Sequence, residues 1–187
     1  MVSGMFLALS AVFSQTPFVE RLVHFEISGV AFSAPSEWVA QTREGAARFD
    51  TPEGDAFIDL EIQELTPFQG PTACVDQMMT TIVKEGWERI SVDKHPAVRW
   101  MGTEPGNKEE IPSAEEAERL ALGQSIDTRV TAIWIMGCNG ARRWLLKMSA
   151  KTRDAGKYGP TFRRVRESFK YKVHANLGAK SPPAKNR

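Results

Sequence analysis

The chain is poor in the side chains that carry out chemistry. Its 187 residues include two cysteines and three histidines. His24, His95 and His174 lie 71 and 79 positions apart, so no helix-spaced pair starts a metal site, and no metal is expected. The sequence has no nucleophile elbow, no phosphate-cradling glycine loop and no zinc-protease helix. No catalytic residue and no cofactor are therefore assigned. No apolar run approaches the roughly 18 residues that a membrane-spanning helix needs. The net charge is only +1, which gives no excess of cations for a nucleic-acid partner.

What is present suits an ordinary globular protein. The chain is 42% hydrophobic and 25% charged, enough apolar material for one core. The small net charge hides a division. Residues 1–139 hold 10 Lys and Arg against 21 Asp and Glu, while residues 140–187 hold 14 against 2. Such a split means either attraction between the halves within one fold or two surfaces with different partners.

The first residues read as an export signal without its usual basic start. Met5 to Phe13 is apolar and is followed by Ser14-Gln15-Thr16-Pro17, with Val12 and Ser14 as acceptable small residues before a cut. Residues 1–23 are accordingly set apart as a candidate signal, which implies a secreted or periplasmic protein. The alternative is an uncleaved segment packed on the domain of a cytoplasmic protein. Residues 174–187 form a basic, Pro- and Lys-containing tail of the kind that stays disordered.

Between these ends the periodicities predict strands first. Phe57, Asp59 and Glu61 alternate with Ile58, Leu60 and Ile62, as in a strand with one wet face. Cys74, Met78 and Ile82 recur at fourfold spacing, predicting a helix capped by Thr72 and ended at Gly86. Residues 104–125 are acidic and turn-rich, with a capping box at Ser113-Ala114-Glu115-Glu116 that opens a short helix. Two strands follow, one with Val130, Ala132, Trp134 and Met136 on a face, the next with Trp144, Leu146 and Met148. Asn139-Gly140 between them predicts a type I′ hairpin turn. Lys151 to Gly159 reads as a loop, and Pro160 as the first turn of a closing helix with Phe162, Val165 and Phe169 on its buried stripe.

Strands, one helix, several antiparallel strands and a closing helix define an α+β protein, an antiparallel β-sheet covered by helices. The chain resembles the PsbP-like fold superfamily, which includes the Ran-binding Mog proteins, and within it the exported bacterial branch. Val30-Ala31-Phe32-Ser33-Ala34-Pro35-Ser36-Glu37-Trp38 is similar to the family's opening strand, proline and tryptophan. Phe57–Ile62 precedes a helix, His95-Pro96-Ala97-Val98-Arg99-Trp100 resembles its small-residue strand start, and Glu167-Ser168-Phe169 resembles its finish. The resemblance implies an α/β/α sandwich over residues 24–173, with 104–125 as an insertion. It also implies a non-catalytic binding or assembly module.

Four sets of residues remain candidates. Arg142, Arg143, Arg163, Arg164, Arg166 and Lys170, supported by Lys147, suggest a cationic face for an acidic protein surface or an envelope component. An exported chain would rarely meet nucleic acid. Cys74 and Cys138, 64 positions apart, are candidates for a disulfide if the helix start approaches the hairpin. Asp59 and Glu61 with His95 are the alternative: the acid–base or metal set of a small hydrolase, which requires that they converge. Cys138 as an isolated thiol has no base beside it in sequence.

Overall fold

A computed structural model describes residues 20–65, 68–81, 86–106, 114–123 and 128–172. Residues 1–19 of the candidate signal, the basic tail, His174 and the start of the acidic capping box lie outside the described residues. Residues 20–23, set with the candidate signal, instead belong to the fold, with Leu22 and Val23 opening the first strand and Glu20 bonded to the closing helix.

The single sheet expected from sequence is divided in two. β1 (Leu22–Ile27), β2 (Val30–Pro35) and the two-residue β10 (Lys170–Tyr171) form a small antiparallel sheet. The large sheet has seven strands: β3 (Val39–Arg43), β4 (Ala46–Asp50), β5 (Ala56–Glu64), β6 (Glu88–Val92), β7 (His95–Glu104), β8 (Val130–Cys138) and β9 (Arg142–Lys151). Their spatial order is β3-β4-β5-β9-β8-β7-β6. Pro35 closes β2, and the chain then crosses to the large sheet at β3. A Pro cannot donate to a ladder, which makes it a natural point of departure.

The large sheet sorts its side chains by the period of two. Its inner face carries Phe49, Ile58, Leu60, Ile135, Trp144, Leu146 and Met148, which pack on Val30 and Phe32 of the small sheet and on α3 (Ala155–Ser168). Trp144, Phe32 and Phe49 are fully buried, each worth roughly 1.5–3 kcal/mol in apolar transfer. Gly137 stands directly opposite Trp144 in the ladder, and a Cβ there would lie 2.4 Å from the Trp144 Cζ2. The indole therefore fixes glycine at that position. The outer face carries α1 (Pro71–Thr81) over one corner only, where Cys74, Val75 and Met78 meet Val98, Met136 and Cys138. Helices thus lie on both sides of the sheet.

Three local expectations are corrected. The β8–β9 hairpin turns on Gly140-Ala141, since Cys138 pairs with Arg143 and the Asn139 N–H donates to the Arg142 carbonyl at 2.9 Å. Asn139 does not take positive φ, whereas Gly140 does, at 103°. The Asn139 side-chain oxygen accepts the Arg142 N–H at 2.9 Å, in place of the Asn139 carbonyl that would close a Gly140-Ala141 turn. Positive φ at both turn positions occurs at Ser28-Gly29 and Asp93-Lys94. α1 begins at Pro71, ahead of the expected Thr72 cap, with the Cys74 N–H donating to Gly70, and its described part ends at Thr81. α3 begins at Ala155, so Pro160 lies inside the helix and 155–159 is not a loop. Proline lacks the N–H that would reach Gly156, and both residues are exposed.

α2 (Ala114–Ala121) lies within the acidic segment, closed by Gly123 at φ 73°.

Candidate functional site

The six cations expected to form one face are distributed by the alternation of β9 and the turn of α3. Arg142 faces inward and donates to the Ser28 carbonyl at 2.8 Å, with Glu64 at 3.5 Å. Arg143 faces outward and donates to the Gln63 side chain. Arg164 donates to the Glu20 carbonyl at 2.9 Å. The Glu20 carboxylate itself accepts from Trp38 Nε1 at 3.2 Å and Thr161 Oγ1 at 2.6 Å, tying the lead-in segment to α3. These three arginines serve the fold. No ion pair or side-chain hydrogen bond among the described residues holds Arg163, Arg166 or Lys170.

Arg166 and Lys170 border an open cleft of about 420 Å³ beside β6, the last strand of the large sheet. Half-buried Ile90 is its apolar lining, with Val92 and Phe169 of the core beneath, and Arg99 lines it as a third cation. Arg99 is already paired with Glu88 at 2.5 Å. Asp93 and Glu167 are the acidic residues of the lining. Sequence reading found Arg166 and Lys170 but missed Arg99, because it lies 67 positions before Arg166 and only the sandwich brings them to one opening.

The acid–base set does not converge. Asp59 and Glu61 share the outer face of β5 with Arg48 and Lys147 as cross-strand neighbours of Asp59. His95 begins β7 in phase with the inward-facing Ala97, and its ring lies 5.2 Å from Tyr171. The two carboxylates and the imidazole therefore face opposite sides of the sheet. Burial raises the Asp59 carboxyl above its ordinary range, with Arg48 at 3.3 Å opposing the shift in part. Among the described residues, no three His, Cys, Asp or Glu side chains are grouped as a metal would require. His24 is exposed on β1.

On the uncovered outer face the charged side chains pair with one another, while Trp134 Nε1 is buried without a hydrogen-bond partner among the described residues. Arg48 holds Asp50 at 2.9 Å and lies 4.1 Å above the Phe57 ring. Lys147 pairs with Glu104 at 3.3 Å and sits 4.7 Å above Trp134. Trp87 and Trp100 meet the edges of Trp134 at 6.5 and 6.3 Å. Cations lying over rings close this part of the sheet where no helix covers it.

Cys74 and Cys138 form a disulfide, with Cα atoms 6.3 Å apart. It joins the first turn of α1 to the end of β8 beneath the outer face. Both residues are buried. The nearby hairpin is also held by Leu65 and Gln69, whose N–H groups donate to Ala141 and Gly140 at 2.7 and 3.0 Å.

No protein-family model matches the chain, and no curated protein sequence does. Solved structures do. The solution structure of cyanobacterial PsbP from Synechocystis superposes with a TM-score of 0.51 at 13% identity, over 83% of this chain and 95% of that one. A crystal structure from Bacteroides thetaiotaomicron gives 0.50 at 10% identity over 77% of this chain, which spans only 45% of that protein. The Ran-binding protein Mog1p of Saccharomyces cerevisiae gives 0.45 at 9% identity. With its two antiparallel sheets, the covering helices and a superposition over nearly the full length of the cyanobacterial protein, the chain has a PsbP-like α+β fold.

Proposed function

We propose that this protein is an exported, non-catalytic binding module that takes an acidic, extended protein segment along β6. The carrying observation is the cleft where Arg166 and Lys170 meet the last strand of the large sheet. Every outward backbone group of such a strand is a hydrogen-bonding position for an added strand. The ionic contacts then come from the two cations that no internal partner holds. Arg99 has Glu88 to exchange for a stronger partner. Half-buried Ile90 offers apolar surface to a side chain of the segment. The opposed placement of Asp59 and Glu61 against His95 favours binding over the hydrolase alternative. Export is supported by the buried Cys74–Cys138 bridge, since such bonds persist in oxidising compartments.

The test uses a fluorescein-labelled peptide alternating Glu and Val and measures anisotropy against protein concentration. Binding should weaken steeply as salt rises, because exposed charges are screened over about 8 Å at physiological ionic strength. The Arg166→Glu, Lys170→Glu double reversal should weaken it at least tenfold with an unchanged melting temperature. Arg163→Glu, outside the cleft, should have a smaller effect. Salt-independent binding, or binding unaffected by the double reversal, overturns the site. Protein recovered from its native host with two alkylatable thiols overturns export.

A further inference from the structure

We infer that the protein self-associates through β3, pairing antiparallel with β3 of a second copy about a two-fold axis at Gln41. The four sheet edges differ in how they are protected. β10 is two residues long, β1 carries Glu26 within the strand, and on β6 Arg89 with the cations of the cleft bars pairing with a second copy while leaving that edge to an acidic segment. Charges and short length are the ordinary means of blocking edge pairing. β3, Val39-Ala40-Gln41-Thr42-Arg43, has neither a charge among its interior residues nor a proline. All five of its residues are exposed, Val39 by 54%. Among the described residues only β4 pairs with it, and these leave one side of its backbone ladder unused.

The strand is complementary to itself. Antiparallel pairing centred on Gln41 sets Ala40 against Thr42 and Val39 against Arg43, so no like charges stand opposite one another. Asp50 lies beside Val39 in the β3–β4 register. Arg43 of one copy is thus brought two strand spacings, roughly 10 Å between Cα atoms, from Asp50 of the other. An arginine lying over Val39 spans that interval to a carboxylate. The amide side chains of the two Gln41 residues meet on the axis with donors and acceptors on both. The union joins two seven-stranded sheets into one, independently of the β6 cleft at the opposite edge of each sheet.

Sedimentation velocity of the full chain over about 1–500 μM tests this. The wild-type protein should pass from monomer to dimer across the range. Gln41→Lys and Gln41→Glu each place like charges together on the axis, and each should raise the dissociation constant at least tenfold. An equimolar mixture of the two variants should restore the dimer, because the opposite charges then meet. Wild-type protein that stays monomeric throughout overturns the inference. So do single variants that dimerise as the wild type does, or a mixture that remains monomeric.

Discussion

Asp55 and Tyr158 show how one pair of side chains anchors the closing helix. Tyr158 donates to Asp55 Oδ1 at 2.6 Å, Thr51 Oγ1 donates to the same oxygen at 2.7 Å, and Lys157 approaches Oδ2 at 3.6 Å. Burial pushes the Asp55 carboxyl up, but these three partners outweigh it and hold the group below its ordinary value. Burial, with the carboxylate beside it, pushes the Tyr158 hydroxyl up to about 12. A carboxyl with a lowered folded value stabilises the fold above the unfolded value of roughly 4, and that stability is lost as pH falls through the folded one. A phenol with a raised folded value stabilises below about 10, and that contribution is lost as pH rises to about 12. Tyr171, raised by burial and by Asp93, adds to the same alkaline limb. Tyr158→Phe keeps the ring against Trp38 and Phe162. It should cost about 1–3 kcal/mol at pH 7 in a urea melt, the worth of a hydrogen bond to a charged group. It should also reduce the loss of stability between about pH 10 and 12. An unchanged alkaline slope would contradict the raised Tyr158 hydroxyl. None of this pairing was legible in the sequence, because 103 positions separate the two residues.

Whole elements were more legible than their ends. The alternation of β5 and the hydrophobic rows of β8 and β9 follow from a sheet with covered faces, and the ladder aligns those strands residue for residue. The fourfold spacing of Cys74 and Met78 marked the face of α1 that reaches the sheet. Boundaries depended on distant partners instead. The hairpin turn shifted by one residue because the Asn139 side chain, wholly buried, accepts the Arg142 N–H. α3 began five residues early because Tyr158 is drawn inward to Asp55, Trp38 and Phe162. The cationic candidate was divided for a related reason. Consecutive Arg142 and Arg143 on a strand must face opposite ways, and they find partners on different sides of the sheet. The bridge between Cys74 and Cys138 closes a loop of 64 positions, for which chain entropy alone allows roughly 4 kcal/mol.

At the scale of the molecule, strand order resolves the charge division. β9 belongs to the basic end of the chain yet lies between β5 and β8. Arg142 thereby meets Glu64, and Lys147 meets Glu104, across the acidic part. Among the described cations of the basic end that no ion pair holds, Arg166 and Lys170 border the β6 cleft. The same strand order sets aside the acidic segment. β7 and β8 are registered as a hairpin from Ala97 and Gly137 out to Glu104 and Val130. Just beyond that register the chain closes on itself, since a Cβ on Gly106 would lie 1.8 Å from the Thr128 carbonyl oxygen. The hairpin is thus complete at the base of the segment, and on α2 and its end Leu120 and Leu122 remain exposed. Replacing residues 107–127 with Gly-Ser-Gly-Ser should therefore leave the domain folded. Shortening the segment from 21 residues to four, about fivefold, lowers its entropy cost by roughly 1.5 kcal/mol, so urea unfolding should show equal or slightly greater stability. The peptide affinity of the β6 cleft should be unchanged, because none of the described residues lining it comes from the excised segment. A loss above about 2 kcal/mol would instead mean that the segment packs as part of the domain, a cost on the scale of a core truncation.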